Sequence, residues 1–293
     1  MTKIQWTDES WNPIIGCEPI SPGCKNCYAE KMAFRLLHMP KTSYYMHVVK
    51  DNGKVLEDFR YIKEWNGKTH FAESQLEKPF KWKKPRMIFV CSMGDLFHES
   101  VPFEWIDKVW FVIAQNPQHT FQILTKRPER MKDYFIHMGR EAQQNDEECI
   151  AGKWLNPLKY FDVLPNLWLG VTTENQEQAN KRIPILCQIP AAKRFISCEP
   201  LLSDIDLQYP EEHFPDGPQM CCSGSECGCL GLPTEPPVIN HLDWVIAGPE
   251  TGHKARPMKK EWIRNIYSQC KAAKVPFFDK KNTLGLDLTQ IPE

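Results

Sequence analysis

The stretch MIFVCSMGD, Met87 to Asp95, sets five apolar residues in a row and then turns to small and polar ones. An unbroken apolar run leaves no face for water, which is the pattern of a strand buried on both sides in a parallel sheet. Six further runs repeat it: WNPIIGC (Trp11 to Cys17), FQILTKR (Phe121 to Arg127), LWLGVTTEN (Leu167 to Asn175), RFISCEP (Arg194 to Pro200), WVIAGPETG (Trp244 to Gly252) and PFFDKK (Pro276 to Lys281). Helix-like stretches lie between them. Ala29, Met32, Ala33, Leu36 and Leu37 form one apolar stripe, and Pro102 opens a helix carrying Trp105, Ile106, Val109, Trp110 and Ile113. The alternation predicts an α/β fold with a parallel sheet of six to seven strands, either open and doubly wound or a full or partial (β/α) barrel. In both architectures ligands bind at the carboxyl ends of the strands, so the polar residues closing each run carry the functional question. Two stretches interrupt the rhythm and read as insertions in a single domain spanning residues 1–293. They cover about residues 38–85, with a hairpin-like VVKDNGKVL, and about residues 207–241, rich in proline, glycine and cysteine.

At 293 residues and 42% hydrophobic content the chain can bury a substantial core, and its formal net charge of -1 supplies no general attraction to nucleic acid. Any nucleic-acid contact must be local. No run of about 18 apolar residues occurs, and the opening MTKIQWTDESW lacks the apolar centre of a signal peptide. These features predict a soluble, cytoplasmic protein with no membrane partner. Twelve cysteines in that compartment stay reduced, which favours metal binding or chemistry over a disulfide framework.

Three of the cysteines stand together in GCEPISPGCKNCY, Gly16 to Tyr28, as Cys17, Cys24 and Cys27 with C-x6-C-x2-C spacing. An iron–sulfur cluster with one iron left open fits such a loop, and so does a zinc site completed by a distant histidine. The position of the loop, between the first strand and first helix of a parallel α/β fold, favours the cluster. A cysteine triad there, with a polar Gly/acid turn after the second strand, resembles the radical S-adenosylmethionine superfamily. More closely, the chain resembles a phage-associated gene-product family of unknown function with the same spaced cysteine loop. That resemblance runs from Trp6 to about Lys280 through GCKNCYAEKM, SMGDLFH, LTKRPERM, GVTTEN, SCEPLL, DWVIAGPETG, ARPM and VPFF. The spacing exceeds the superfamily's usual C-x3-C-x2-C by three residues, and Asn26 stands before the last cysteine where an aromatic is usual.

The resemblance implies a partial barrel in which Cys17, Cys24 and Cys27 hold a 4Fe-4S cluster. The open iron would bind the amino and carboxylate groups of S-adenosylmethionine, and an electron from a flavodoxin- or ferredoxin-type donor would release a 5′-deoxyadenosyl radical. It implies that Ser92, Gly94 and Asp95 receive the cofactor's ammonium group; the motif taken alone reads as an aspartate capping a simple turn, and the cysteine loop beside it favours the cofactor. Lys126 and Arg127 are candidates for its carboxylate or a substrate phosphate, against a solvated basic turn. Thr172, Thr173 and Glu174 are candidates for the ribose hydroxyls, and Glu199 and Glu250 close the next strands. Cys198 is a candidate hydrogen-atom donor, or else a small core residue. Cys91 reads as core, while Cys149, Cys187 and Cys270 stand alone.

Two segments remain. MCCSGSECGCLG brings Cys221, Cys222, Cys227 and Cys229 together as a candidate second metal site, with a spacing that matches no standard zinc motif. KPFKWKKPR, Lys78 to Arg86, interleaves Phe80 and Trp82 with five cations, which suits single-stranded nucleic acid or a flipped base. A nucleobase in DNA or RNA is therefore the favoured substrate. The contrasting expectation is a non-catalytic, metal-stapled protein that binds nucleic acid or a partner.

Overall fold

The computed structural model describes residues 4–37, 48, 65–144, 163–208, 237–252 and 254–292. In chain order the strands are β1 (Glu9–Trp11), β2 (Ile14–Ile15), β3 (His70–Phe71), β4 (Met87–Val90), β5 (Thr120–Thr125), β6 (Leu167–Thr172), β7 (Lys193–Cys198), β8 (Trp244–Ala247) and β9 (Phe277–Asp279). The α-helices are α1 (Tyr28–Leu37), α2 (Phe103–Ala114), α3 (Pro128–Gln144), α4 (Gln176–Gln188) and α5 (Lys260–Ala273). Seven strands form one all-parallel sheet in the order β1-β4-β5-β6-β7-β8-β9. Sheet order follows chain order with no reversal, so right-handed crossovers place the helices on one face and leave the other concave. A doubly wound sheet would reverse at a switch point. The fold is a curled partial β/α barrel.

The run WNPIIGC is not a single strand. β1 ends at Trp11, because Pro13 has no N–H for a ladder, and Ile14–Ile15 instead pair antiparallel with β3. The Asn12 side chain is turned to accept from Ser92 Oγ (3.1 Å) and the Met93 N–H (2.9 Å), tying β1 to the end of β4. On α1, Ala29 and Ala33 are buried as the stripe predicts, but Met32 is exposed. The described part of the first insertion adds β3 and two 3₁₀ turns, and there the Trp11 indole donates to Gln75 O (2.8 Å). All of VVKDNGKVL after Val48 and most of the second insertion lie outside the described residues. Among the described residues no helix is long and apolar enough to cross a membrane.

Both faces of the sheet are apolar, as the unbroken runs require. Ile88, Val90, Ile196 and Cys198 join the core under the helices, whereas Trp6, Phe89, Trp168, Phe195, Trp244 and Phe278 pack together on the concave side. Trp6 meets Phe89 edge-on at 4.8 Å between centroids, and Trp244 meets Trp6 at 6.0 Å and Trp168 at 5.9 Å. These rings plug the barrel interior. Gly170 makes room for them, since a Cβ there would stand 2.6 Å from the Phe195 ring. Gly170→Ala is therefore expected to cost about 1–3 kcal/mol by overpacking, read as a lowered denaturant midpoint. An unchanged midpoint would mean that Phe195 has room to move aside.

Candidate functional site

Above the aromatic plug, a cavity of about 210 Å³ opens at the carboxyl ends of the strands. Trp6, Phe89 and Leu124 form its apolar wall. Of the residues singled out from the sequence, Cys17, Cys24, Cys27, Ser92, Gly94, Asp95, Lys126, Arg127, Thr172 and Glu199 line it. Thr173, Glu174 and Cys198 do not border it, and each is fully buried.

The cysteine loop runs from β2 to α1, and buried polar groups from the strand ends fasten it along its length. At its start, the Gly16 N–H donates to Met93 O (3.0 Å), and a Cβ on Gly94 would lie 2.9 Å from Gly16 O. The close approach that Gly94 permits is thus to the chain's own backbone. Next, Arg127 donates through Nη1 to Cys17 Sγ (3.7 Å) and through Nη2 to Glu18 O (3.2 Å). The same guanidinium pairs with Asp95 (3.2 Å) and Glu99 (2.7 Å). In mid-loop, the Gly23 N–H donates to Glu174 Oε1 (3.1 Å), whose other oxygen pairs with Arg182 (2.9 Å). At its end, Asn26 donates to Glu250 (2.8 Å) and Lys254 O (3.1 Å), and the Tyr28 hydroxyl donates to Ser92 O (2.7 Å). The polar Asn26 is accounted for by this contact.

Several of these residues have partners within the protein. Asp95 is buried, and its carboxylate already accepts from the Phe97 N–H (3.0 Å), Thr125 Oγ1 (2.7 Å) and Arg127, so its partners are internal. The turn reading of Asp95 agrees with these bonds. Glu174 likewise serves the loop and Arg182. Cys198 faces the helix-side core, and its thiol lies 3.2 Å from Thr173 Oγ1. Burial pushes that thiol up to about 12. Strand alternation puts Ser197, one residue earlier, at the cavity instead.

The charges around the loop follow from these contacts. Burial, reinforced by the Asp95 carboxylate, pushes the Cys17 thiol up to about 12 against the opposing effect of Arg127. Burial also raises Cys27. Burial alone would raise Glu174, but Arg182 and Lys126 outweigh it and hold the carboxyl below its ordinary range. Hydrogen bonds from the Arg256 side chain hold Glu250 at about 2, so that pair stays ionised through the physiological range. Lys126 differs from its neighbours. Its Nζ reaches the neutral Thr172 hydroxyl (3.4 Å), and no carboxylate pairs with it among the described residues.

Lys280, missed in the sequence, also lines the cavity and is ion-paired with Glu199. It follows β9 directly, so the rule that sites gather at strand ends would have found it.

KPFKWKKPR lies elsewhere. It immediately precedes β4, Arg86 pairs with Glu9 at the start of β1 (2.9 Å), and Trp82 packs edge-on against His119, just before β5. Both contacts sit at the amino ends of the strands, opposite the cavity. Lys78 and Arg86 stand 5.5 and 5.7 Å from the Trp82 ring centroid, so the chain's own cations lie against it. Cys221, Cys222, Cys227 and Cys229 lie outside the described residues, as does Cys149.

No curated protein and no solved structure matches the chain. A family profile covers nearly all of it: by the match over residues 1–284, the chain belongs to the family described as "Protein of unknown function (DUF5131)".

Proposed function

We propose that the protein is a radical S-adenosylmethionine enzyme whose loop thiols Cys17, Cys24 and Cys27 hold a 4Fe-4S cluster with one open iron. The observation that carries this reading is the meeting, around one cavity at the strand ends, of three thiols from a single loop with Lys126 and the Glu199–Lys280 pair. Among the described residues, no group of three or more His, Cys, Asp or Glu side chains stands close enough to hold one metal ion. A cubane takes one thiolate per iron, so three loop thiols would leave one iron open. When bound, the cluster supplies the electron that cleaves the cofactor's sulfonium to a 5′-deoxyadenosyl radical, which abstracts hydrogen from substrate.

The chain's own residues bind, orient and exclude water. Lys126 takes the cofactor's carboxylate, because its ammonium faces the cavity region with no carboxylate at ion-pair distance among the described residues. Trp6, Phe89 and Leu124 present dry walls that suit a flat ring. On that ground a nucleobase, modified or repaired in DNA or RNA, remains the proposed substrate, without help from the basic segment at the far end of the sheet. A flavodoxin- or ferredoxin-type donor supplies the electron, in a reducing cytoplasm that keeps the thiols free.

Lys126→Ala is expected to weaken S-adenosylmethionine binding at least tenfold, given about 1.5–3 kcal/mol for a hydrogen bond to a charged group. Equilibrium dialysis of anaerobically reconstituted protein with unchanged iron content measures this. Equal affinity in variant and parent would remove Lys126 from the binding site.

A further inference from the structure

The Arg127 guanidinium is 4% exposed, yet it reaches four groups: Asp95, Glu99, the Glu18 carbonyl and the Cys17 sulfur. Asp95 fixes it from below and is itself fixed by Thr125 and the Phe97 N–H, so the guanidinium is held rigidly against the first arm of the cysteine loop. Nothing in the proposed chemistry requires a buried arginine at this sulfur. Three thiolates make the loaded loop anionic, and each added electron makes it more so. A cation that donates to one of the sulfurs therefore favours the reduced form, and carboxylates that offset the cation oppose it.

We infer that Arg127 is a positioning residue that sets Cys17 in place and raises the reduction potential of the cluster, with Glu99 moderating its charge. The inference rests on the iron–sulfur reading above. Glu99 offers a handle from outside, since its side chain is 65% exposed while it pairs with Arg127 at 2.7 Å.

The test is a potentiometric titration, followed by electron paramagnetic resonance, of reconstituted wild-type, Arg127→Gln, Arg127→Lys and Glu99→Gln proteins. In Arg127→Gln the reduced-to-oxidised ratio at fixed poise is expected to fall about tenfold, a shift of about 59 mV to more negative potential for one electron. Arg127→Lys keeps the charge and loses the fork, so its potential is expected between those of Arg127→Gln and wild type. Glu99→Gln is expected to shift the potential the opposite way, and its exposed position keeps the fold intact. If Arg127→Gln fails to fold or load, the sign of the Glu99→Gln shift decides. A wild-type potential in Arg127→Gln or Glu99→Gln, with the cluster present, overturns the inference and leaves the enzyme reading standing. A wild-type protein that takes up no cluster overturns both.

Discussion

Single Cys17→Ala, Cys24→Ala and Cys27→Ala proteins, reconstituted anaerobically, are expected to lose essentially all iron–sulfur absorbance, while Cys187→Ala retains it. On the proposed reading each loop thiolate would hold one corner of the cluster and the fourth corner would have no protein ligand, so two remaining thiols could not fix a cubane. Cys187 lies on α4 and packs against the helix-side core, away from the loop. The contrast separates loss of ligand from loss of any cysteine. Full clusters in all three loop variants would show that the metal, if bound, is held elsewhere.

The second large effect is expected at Arg182→Met. Arg182 and Glu174 are buried together, with side chains 3% and 0% exposed and 2.9 Å between them. Removing the cation leaves a carboxylate without its partner in the interior, which costs about 3–5 kcal/mol. A urea midpoint measures the loss. Replacing both residues, as Arg182→Met with Glu174→Leu, is expected to recover much of the stability, because an apolar pair of similar volume is often neutral in place of a buried ion pair. Cluster loading is expected to fall in the double variant, since the Gly23 N–H loses its acceptor. An Arg182→Met protein with a wild-type midpoint would contradict the buried-pair account.

The fold was legible because a strand buried on both sides must be apolar throughout, and six such runs, which coincide with β4 to β9, separated by helical stripes leave few architectures; the first run, WNPIIGC, overlaps β1 only at Trp11. The partial barrel rather than the doubly wound sheet needed the strand order, which no local pattern carries. The location of the site was legible for a related reason, since the polar residues after parallel strands converge on one end of the sheet. Which of those residues face the cavity was not legible. A run without polar alternation hides its parity, so Cys198 and Ser197 could not be told apart until β7 was placed in the sheet. Pairing was hidden as well. Asp95 and Arg127 are 32 residues apart, and each taken alone reads as a ligand contact, whereas together they brace the cysteine loop. The amino-end position of KPFKWKKPR was legible too, because the segment directly precedes the run Met87 to Asp95 in a sheet read as parallel, but its aromatic and basic composition drew it toward the site. Trp82 and Arg86 fall at the amino ends.

The most direct measurement is to incubate reconstituted wild-type protein with S-adenosylmethionine and a strong one-electron reductant under anaerobic conditions and to quantify 5′-deoxyadenosine alongside bound iron. The expected result is a brown protein with about four irons at the cysteine loop, which forms 5′-deoxyadenosine in the wild type and none in the three loop-cysteine variants. A colourless, zinc-loaded protein, or a four-iron protein that leaves the cofactor intact under reduction, would contradict the assignment.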